Sequence, residues 1–216
     1  MSILISGAAS AGQGKPIRYL ALGDSYTIGE GVADSERWPM QLASSLRRDG
    51  FDLANPQIIA QTGWTTDELS AAMDAAEPLG QWDFVSLLIG VNNQYRGRDL
   101  ASFEGEFERL LQRALSLAGG QPNRLLVLTI PDWGVTPFAK GRDRNEIGRQ
   151  LDDYNRALSA IAARHEVRVV DIAAVSRARG AEPAMLASDG LHPSGKLYAL
   201  WAEQAAPVVR ELLSQH

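Results

Sequence analysis

Short apolar runs alternate with longer stretches of helical period along almost the whole chain. Runs at 17–23, 57–60, 84–89, 125–130 and 167–172 are too short for helices and are bounded by turn-forming residues, which predicts five buried strands. Between them, segments near 36–49, 65–76, 99–118 and 146–165 carry helical periodicity, and a last one runs from Ser194 to the end. The stretch from Asp99 has the clearest period. Phe103, Phe107, Leu110, Leu111, Ala114 and Leu117 fall on one face, and Gly119-Gly120 stop it. Pro207 lacks the N–H that a helix interior needs, so a kink or a restart is expected there. Strands alternating with helices imply a parallel sheet covered on both faces and joined by right-handed crossovers. Neither a repeat nor a linker marks a second unit. One domain is expected over 17–216, behind a flexible Gly/Ala/Ser-rich leader at 1–16.

Composition narrows the partners. At 216 residues and 45% hydrophobic content the chain can bury a substantial single core. The net charge of −5, with no long block of one sign, argues against nucleic acid or an anionic membrane surface as main partner. The absence of cysteine excludes disulfides, a thiolate metal site and a cysteine nucleophile. Residues 1–16 have no basic start and only a three-residue apolar run, a poor signal peptide, so a cytoplasmic location is expected. No apolar stretch approaches the ~18 residues that would span a bilayer.

The chemistry gathers at strand ends. Gly23-Asp24-Ser25 follows the first apolar run, and ligands of open α/β sheets bind beyond the carboxyl ends of strands. Ser25 is therefore either a nucleophile at the mouth of a site or a cap for the next helix. A serine nucleophile needs an imidazole to take its proton and a third group to orient that imidazole. Of the three histidines, only His192 has an acid three residues before it in a turn-rich loop, Asp189. His165 lies at the polar end of a predicted helix, a place for a solvated cation, and His216 ends the chain, where order is weakest. Two further loops follow strands at the same sheet edge, one with Gly63 and one with Asn92. Gly63 can offer an unobstructed backbone N–H, Asn92 its amide, and Ser25 its own N–H to a developing oxyanion. Taken singly, Gly63 also reads as an ordinary turn and Asn92 as an Asx-turn.

Laid out in this order, the residues resemble the SGNH (GDSL-type) hydrolase superfamily of esterases and lipases. The matching blocks are Gly23-Asp24-Ser25-Tyr26-Thr27, Gly63, Gly90-Val91-Asn92 and Asp189-Gly190-Leu191-His192-Pro193, and they span nearly the whole domain. The resemblance implies a single-domain three-layer α/β/α sandwich, flavodoxin-like, with a five-stranded parallel sheet. It implies a serine esterase with Ser25, Asp189 and His192 as catalytic triad and Ser25, Gly63 and Asn92 as oxyanion hole. The partner so implied is a small-molecule ester. Neither a cofactor nor a metal is needed for that chemistry. Two positions depart from the pattern. Asn93 stands where much of the family has an acid, and Trp64 follows the second-block glycine, where a smaller residue is expected. Trp64 either walls the acyl side of the pocket or packs against the sheet. Trp133, in the segment after the fourth run, either lines the same mouth or covers core.

Other motifs fail. The nucleophile elbow Gly-x-Ser-x-Gly is absent around Ser25, and the stretch Ala9 to Pro16 misses both ends of a phosphate-binding loop. An acyltransferase would form the same first intermediate, and a carbohydrate-binding module could keep the fold without turnover. Short acyl chains are expected, because the candidate loops are short and no lid-like apolar insertion is visible.

Overall fold

The computed structural model describes residues 15–215, so the leader expected at 1–16, apart from its last two residues, and His216 lie outside the described residues. Five parallel strands form one sheet: β1 (Tyr19–Gly23), β2 (Gln57–Ala60), β3 (Phe84–Leu88), β4 (Leu125–Leu128) and β5 (Arg168–Val170). Their order is β2-β1-β3-β4-β5. All five fall inside the apolar runs of the sequence. The three central strands are buried throughout, as strands covered on both faces must be, whereas the edge strands β2 and β5 keep exposed positions.

Among the described residues, eight α-helices surround the sheet: α1 (Ser25–Ile28), α2 (Trp38–Arg48), α3 (Thr66–Ala75), α4 (Val91–Tyr95), α5 (Leu100–Leu117), α6 (Arg144–Arg164), α7 (Ala173–Arg179) and α8 (Gly195–Leu213). The chain moves one way from β1 to β2 and the other way through β3, β4 and β5. Right-handed crossovers then put α2 on one face and α3, α5 and α6 on the other. The packing agrees, with α8 against α2 and α5 against both α3 and α6. On α5, the six residues expected on one face are the six that are buried. Each such Leu or Phe withdrawn from water contributes on the order of 1.5–3 kcal/mol. Helices α2 and α8 pack together, and Trp38, Leu42 and Leu46 of α2 and Trp201, Ala205 and Val209 of α8 are all fully buried.

Of the kink or restart expected at Pro207, there is no restart: α8 runs through it as one helix. Pro207 sits on the exposed face, and Glu203, whose carbonyl loses its helical donor there, is exposed as well. Water can satisfy the freed carbonyl, while the buried face holds the helix together.

Candidate active site

In this strand order the chain reverses direction between β1 and β3, and the loops leaving those two strands diverge to open a crevice. The turn after β1 carries Ser25. Its hydroxyl does not cap the helix: Asp24 is the cap, its Oδ1 accepting from the Tyr26 N–H at 3.0 Å. Ser25 becomes the first residue of α1, and among the described residues its backbone N–H has no intramolecular hydrogen bond. Asp24 itself is almost wholly buried, and among the described residues its Oδ2 has no hydrogen-bond partner. Burial pushes its carboxyl up to about 7, against the pull of the Tyr26 N–H.

After β2, Gly63 sits at φ +89°, in the left-handed region that other residues adopt only under strain. Its carbonyl accepts from Arg96 Nη2 at 2.6 Å, and Arg96 is held in turn by Glu68 at 3.0 Å. That clamp fixes the turn while leaving the Gly63 N–H without an intramolecular partner among the described residues. After β3, Gly90 has φ +124°, and a Cβ there would lie 2.7 Å from Phe103 and 2.8 Å from Ile130. The tight turn swings Asn92, on α4, toward Gly63. Asn92 Nδ2 donates to the Trp64 carbonyl at 2.9 Å, which uses one amide hydrogen and leaves the second.

Asn93 is fully buried and ties α4 to the start of α3. Its Oδ1 accepts from the Thr66 N–H at 3.1 Å, and its Nδ2 donates to Thr66 Oγ1 at 2.7 Å and to Glu106 Oε2 at 3.4 Å. An acid here would set two carboxylates against each other, so Glu106 gives a physical reason for the amide.

His192 and Asp189 come from the loop before α8. A bridge between Leu186 and Pro193, and a bond from the Ala187 N–H to the His192 carbonyl at 2.8 Å, close that loop on itself. His192 Nδ1 lies 2.6 Å from Asp189 Oδ2, while the Leu191 and His192 N–H groups donate to Asp189 Oδ1 at 2.9 and 3.0 Å. Burial pushes the Asp189 carboxyl up, but these hydrogen bonds, led by His192, outweigh it and hold the group below the usual carboxylate range. An ionised Asp189 accepting at Nδ1 leaves Nε2 as the basic nitrogen. The imidazole is itself buried, with its ring edge-on to Tyr26 at 5.6 Å between centroids.

Ser25, Gly63, Asn92 and His192 all line one cavity of about 180 Å³, with Thr62 at its rim and Tyr26, Val91, Tyr95, Trp133, Phe138 and Leu191 as its apolar wall. Among the described residues no hydrogen bond joins the Ser25 hydroxyl to His192, a contact that in such sites often tightens only with substrate in place. Trp133 is part of the wall, its Nε1 donating to Gln94 Oε1 at 2.8 Å. Trp64 does not line this cavity. It is half-buried against the core, because the left-handed turn at Gly63 directs the next side chain away from the mouth. Tyr95 has no counterpart in the sequence reading, although its place one helical turn beyond Asn92 could have suggested it. A larger, open cleft beside Asp132 and Arg144 holds neither Ser25 nor His192, and its Arg177 is paired with Asp132 at 2.9 Å and Asp152 at 2.7 Å.

His165 caps the far end of α6, at the opposite edge of the sheet, with Nε2 2.9 Å from Glu108 Oε1. Among the described residues no group of three or more His, Asp or Glu could hold a metal ion, and no helix is long and apolar enough to cross a membrane.

The strand order is the flavodoxin-like one, and solved structures of the SGNH-hydrolase fold match the chain along most of its length. The chain belongs to the GDSL-like lipase/acylhydrolase family, whose model matches residues 21–200, and is by class a carboxylic ester hydrolase. Among solved structures it is similar to TesA, at 21% identity over 90% of this chain and 99% of that one, with a TM-score of 0.70. It is similar also to the psychrotrophic esterase EstA from Pseudoalteromonas sp. inhibited by monoethylphosphonate, at 15% identity, 91% and 98% coverage and a TM-score of 0.72. A lipase/acylhydrolase from Enterococcus faecalis aligns at 21% identity, 92% and 97% coverage and a TM-score of 0.69. No curated protein sequence matches it significantly.

Proposed function

We propose that this protein hydrolyses small carboxylic esters of short acyl chain through an acyl-enzyme on Ser25. The observation that carries this reading is the convergence of Ser25, Gly63, Asn92 and His192 on one small apolar cavity, with Asp189 bound to the far nitrogen of the imidazole. His192 Nε2 takes the hydroxyl proton as Ser25 Oγ attacks the ester carbonyl. The oxyanion is received by the Ser25 and Gly63 N–H groups and the remaining Asn92 amide hydrogen. Protonated His192 then gives its proton to the departing alcohol. In the second half, a water deprotonated by the same imidazole attacks the acyl-enzyme, and collapse returns the proton to Ser25. Asp189 holds the ring in the right tautomer throughout and stabilises its charged form.

The acyl preference follows from size. A cavity of about 180 Å³ is well below the ~300–1,000 Å³ of clefts that take drug-sized ligands, and Trp133 closes part of its wall. Turnover of 4-nitrophenyl esters from acetate to palmitate should therefore peak at short chains. An optimum at palmitate would refute the short-chain assignment.

A further inference from the structure

Arg142 stands beside the cavity in unusual company. Its guanidinium carbon lies 4.9 Å from the ring centroid of Tyr95, 5.3 Å from Trp133 and 5.9 Å from Phe138, and Nη2 donates to the Tyr95 hydroxyl at 3.0 Å. All three rings line the cavity that holds Ser25 and His192. Tyr95 and Phe138 are 43% and 41% exposed, and no other large apolar side chain among the described residues is comparably open. Arg142 has no carboxylate within ion-pair distance among the described residues, whereas Arg96, Arg98, Arg113 and Arg177 each have at least one. Neighbouring Asp143 is turned away to cap α6, its Oδ1 accepting from the Glu146 N–H at 3.0 Å.

A guanidinium supported on aromatic faces keeps its in-plane N–H groups for an anion, and the rings fix its position at little entropic cost. Arg144, the first residue of α6, is turned elsewhere, its Nη2 donating to the Thr136 carbonyl at 3.2 Å and its side chain lining the separate cleft beside Asp132. On a chain of net charge −5, Arg142 is a cation without a carboxylate partner among the described residues, set against the rings that wall the cavity. Two exposed acids stand near the mouth: Asp189 is engaged with His192, and Glu30 accepts from the hydroxyl of Thr62, on the side of the cavity that Thr62 lines. The loop also touches the proposed catalytic machinery directly, because the Phe138 N–H donates to the Gly190 carbonyl at 3.2 Å, within the loop of Asp189 and His192.

We propose that Arg142, held on the faces of Tyr95, Trp133 and Phe138, selects esters that carry an anionic group beyond the scissile bond. The inference rests on the ester-hydrolase reading above and adds the charge of the substrate to it. The anion is a carboxylate or phosphate on either the acyl or the alcohol side, since both sides leave the cavity through this mouth.

The test compares matched esters in wild type, Arg142→Met and Arg142→Lys. One pair is 4-nitrophenyl hexanoate and mono-4-nitrophenyl adipate, charged on the acyl side. The other is phenyl acetate and 4-acetoxybenzoate, charged on the alcohol side. The readout is the ratio of kcat/KM for the anionic over the neutral ester within a pair, so a general loss of activity or folding cancels. Wild type should favour the anionic member of one pair on the order of tenfold at low salt, and added salt should erode that preference. Arg142→Met should abolish it, and Arg142→Lys should retain part, since an ammonium keeps the charge but not the planar fork. Which pair responds assigns the side. Equal ratios in wild type and Arg142→Met for both pairs would overturn the proposal. Failure of wild type to hydrolyse any of the four esters would instead overturn the ester-hydrolase reading on which it rests.

Discussion

Two histidines in this molecule each hold a carboxylate, and only one of them stands where chemistry can follow. His192 Nδ1 meets Asp189 at 2.6 Å, and His165 Nε2 meets Glu108 at 2.9 Å. The pairs differ in their place on the sheet. His192 is buried at the carboxyl edge, beside a serine whose hydroxyl is spared from capping and two loops that present hydrogen-bond donors. His165 sits at the amino edge, at the end of α6, and Arg164 binds the same Glu108. It joins α6 to α5 and faces no cavity that contains a nucleophile. A histidine–acid pair is thus a structural tie by default. What turns it into a candidate base is the company that the strand order brings to one edge.

The largest expected effect breaks this symmetry outright. His192→Ala should lower kcat/KM for a simple aryl ester by about 10⁴–10⁶, while His165→Ala should stay within about twofold. Asp189→Asn should cost on the order of 10⁴, because an amide at Nδ1 permits the wrong tautomer. Steady-state kinetics on the three variants decide the matter. Comparable losses from His165→Ala would mean that position on the sheet does not separate the two pairs.

Asn92→Ala sharpens the role of that edge. Loss of one oxyanion donor should reduce kcat by about 10²–10³ with little change in KM, since the bond strengthens mainly in the transition state. A fall of less than about threefold would leave Asn92 as a tie to the Trp64 carbonyl and nothing more.

The strand rhythm of the sequence sufficed for the sheet, because buried central strands must be apolar throughout and edge strands are short. The face of α5 was equally legible, since one stripe of Phe, Leu and Ala has only one way to meet the core. Ser25 and His192 were visible as chemistry at strand ends, but the choice between nucleophile and cap was not. It depended on whether Asp24 or Ser25 would take the capping position, a matter of one residue of register. The choice for Trp64, between the pocket wall and packing against the sheet, stayed open for a related reason. The sequence shows that a tryptophan follows Gly63, but its direction depends on a positive φ that only coordinates reveal. Arg142 left no local signal at all. Its aromatic partners come from α4 and from two turns after β4, and nothing in a one-dimensional pattern joins them.

A smaller effect separates the two edges by their buried charge. Asp24 lies under the turn that carries Ser25, and burial raises its carboxyl to about 7. Unfolded, it would titrate near ~3.9. Between these values the folded state holds the extra proton, so stability falls as pH rises from about 4 to 7 and the loss is complete above. Asn caps a helix as well as Asp and carries no charge to bury. Asp24→Asn should therefore raise the melting temperature relative to wild type more at pH 8 than at pH 5. A difference of the opposite sign would mean that Asp24 is stabilised as an anion in the fold.

The central claim is that Ser25, at the reversal point of the sheet, is the nucleophile. Peptide mass mapping after treatment with a reactive organophosphonate ester tests it directly. One phosphonyl group is expected on the peptide that contains Ser25, and none on the Ser25→Ala variant. Stoichiometric labelling of another serine, or undiminished labelling of Ser25→Ala, would contradict the account.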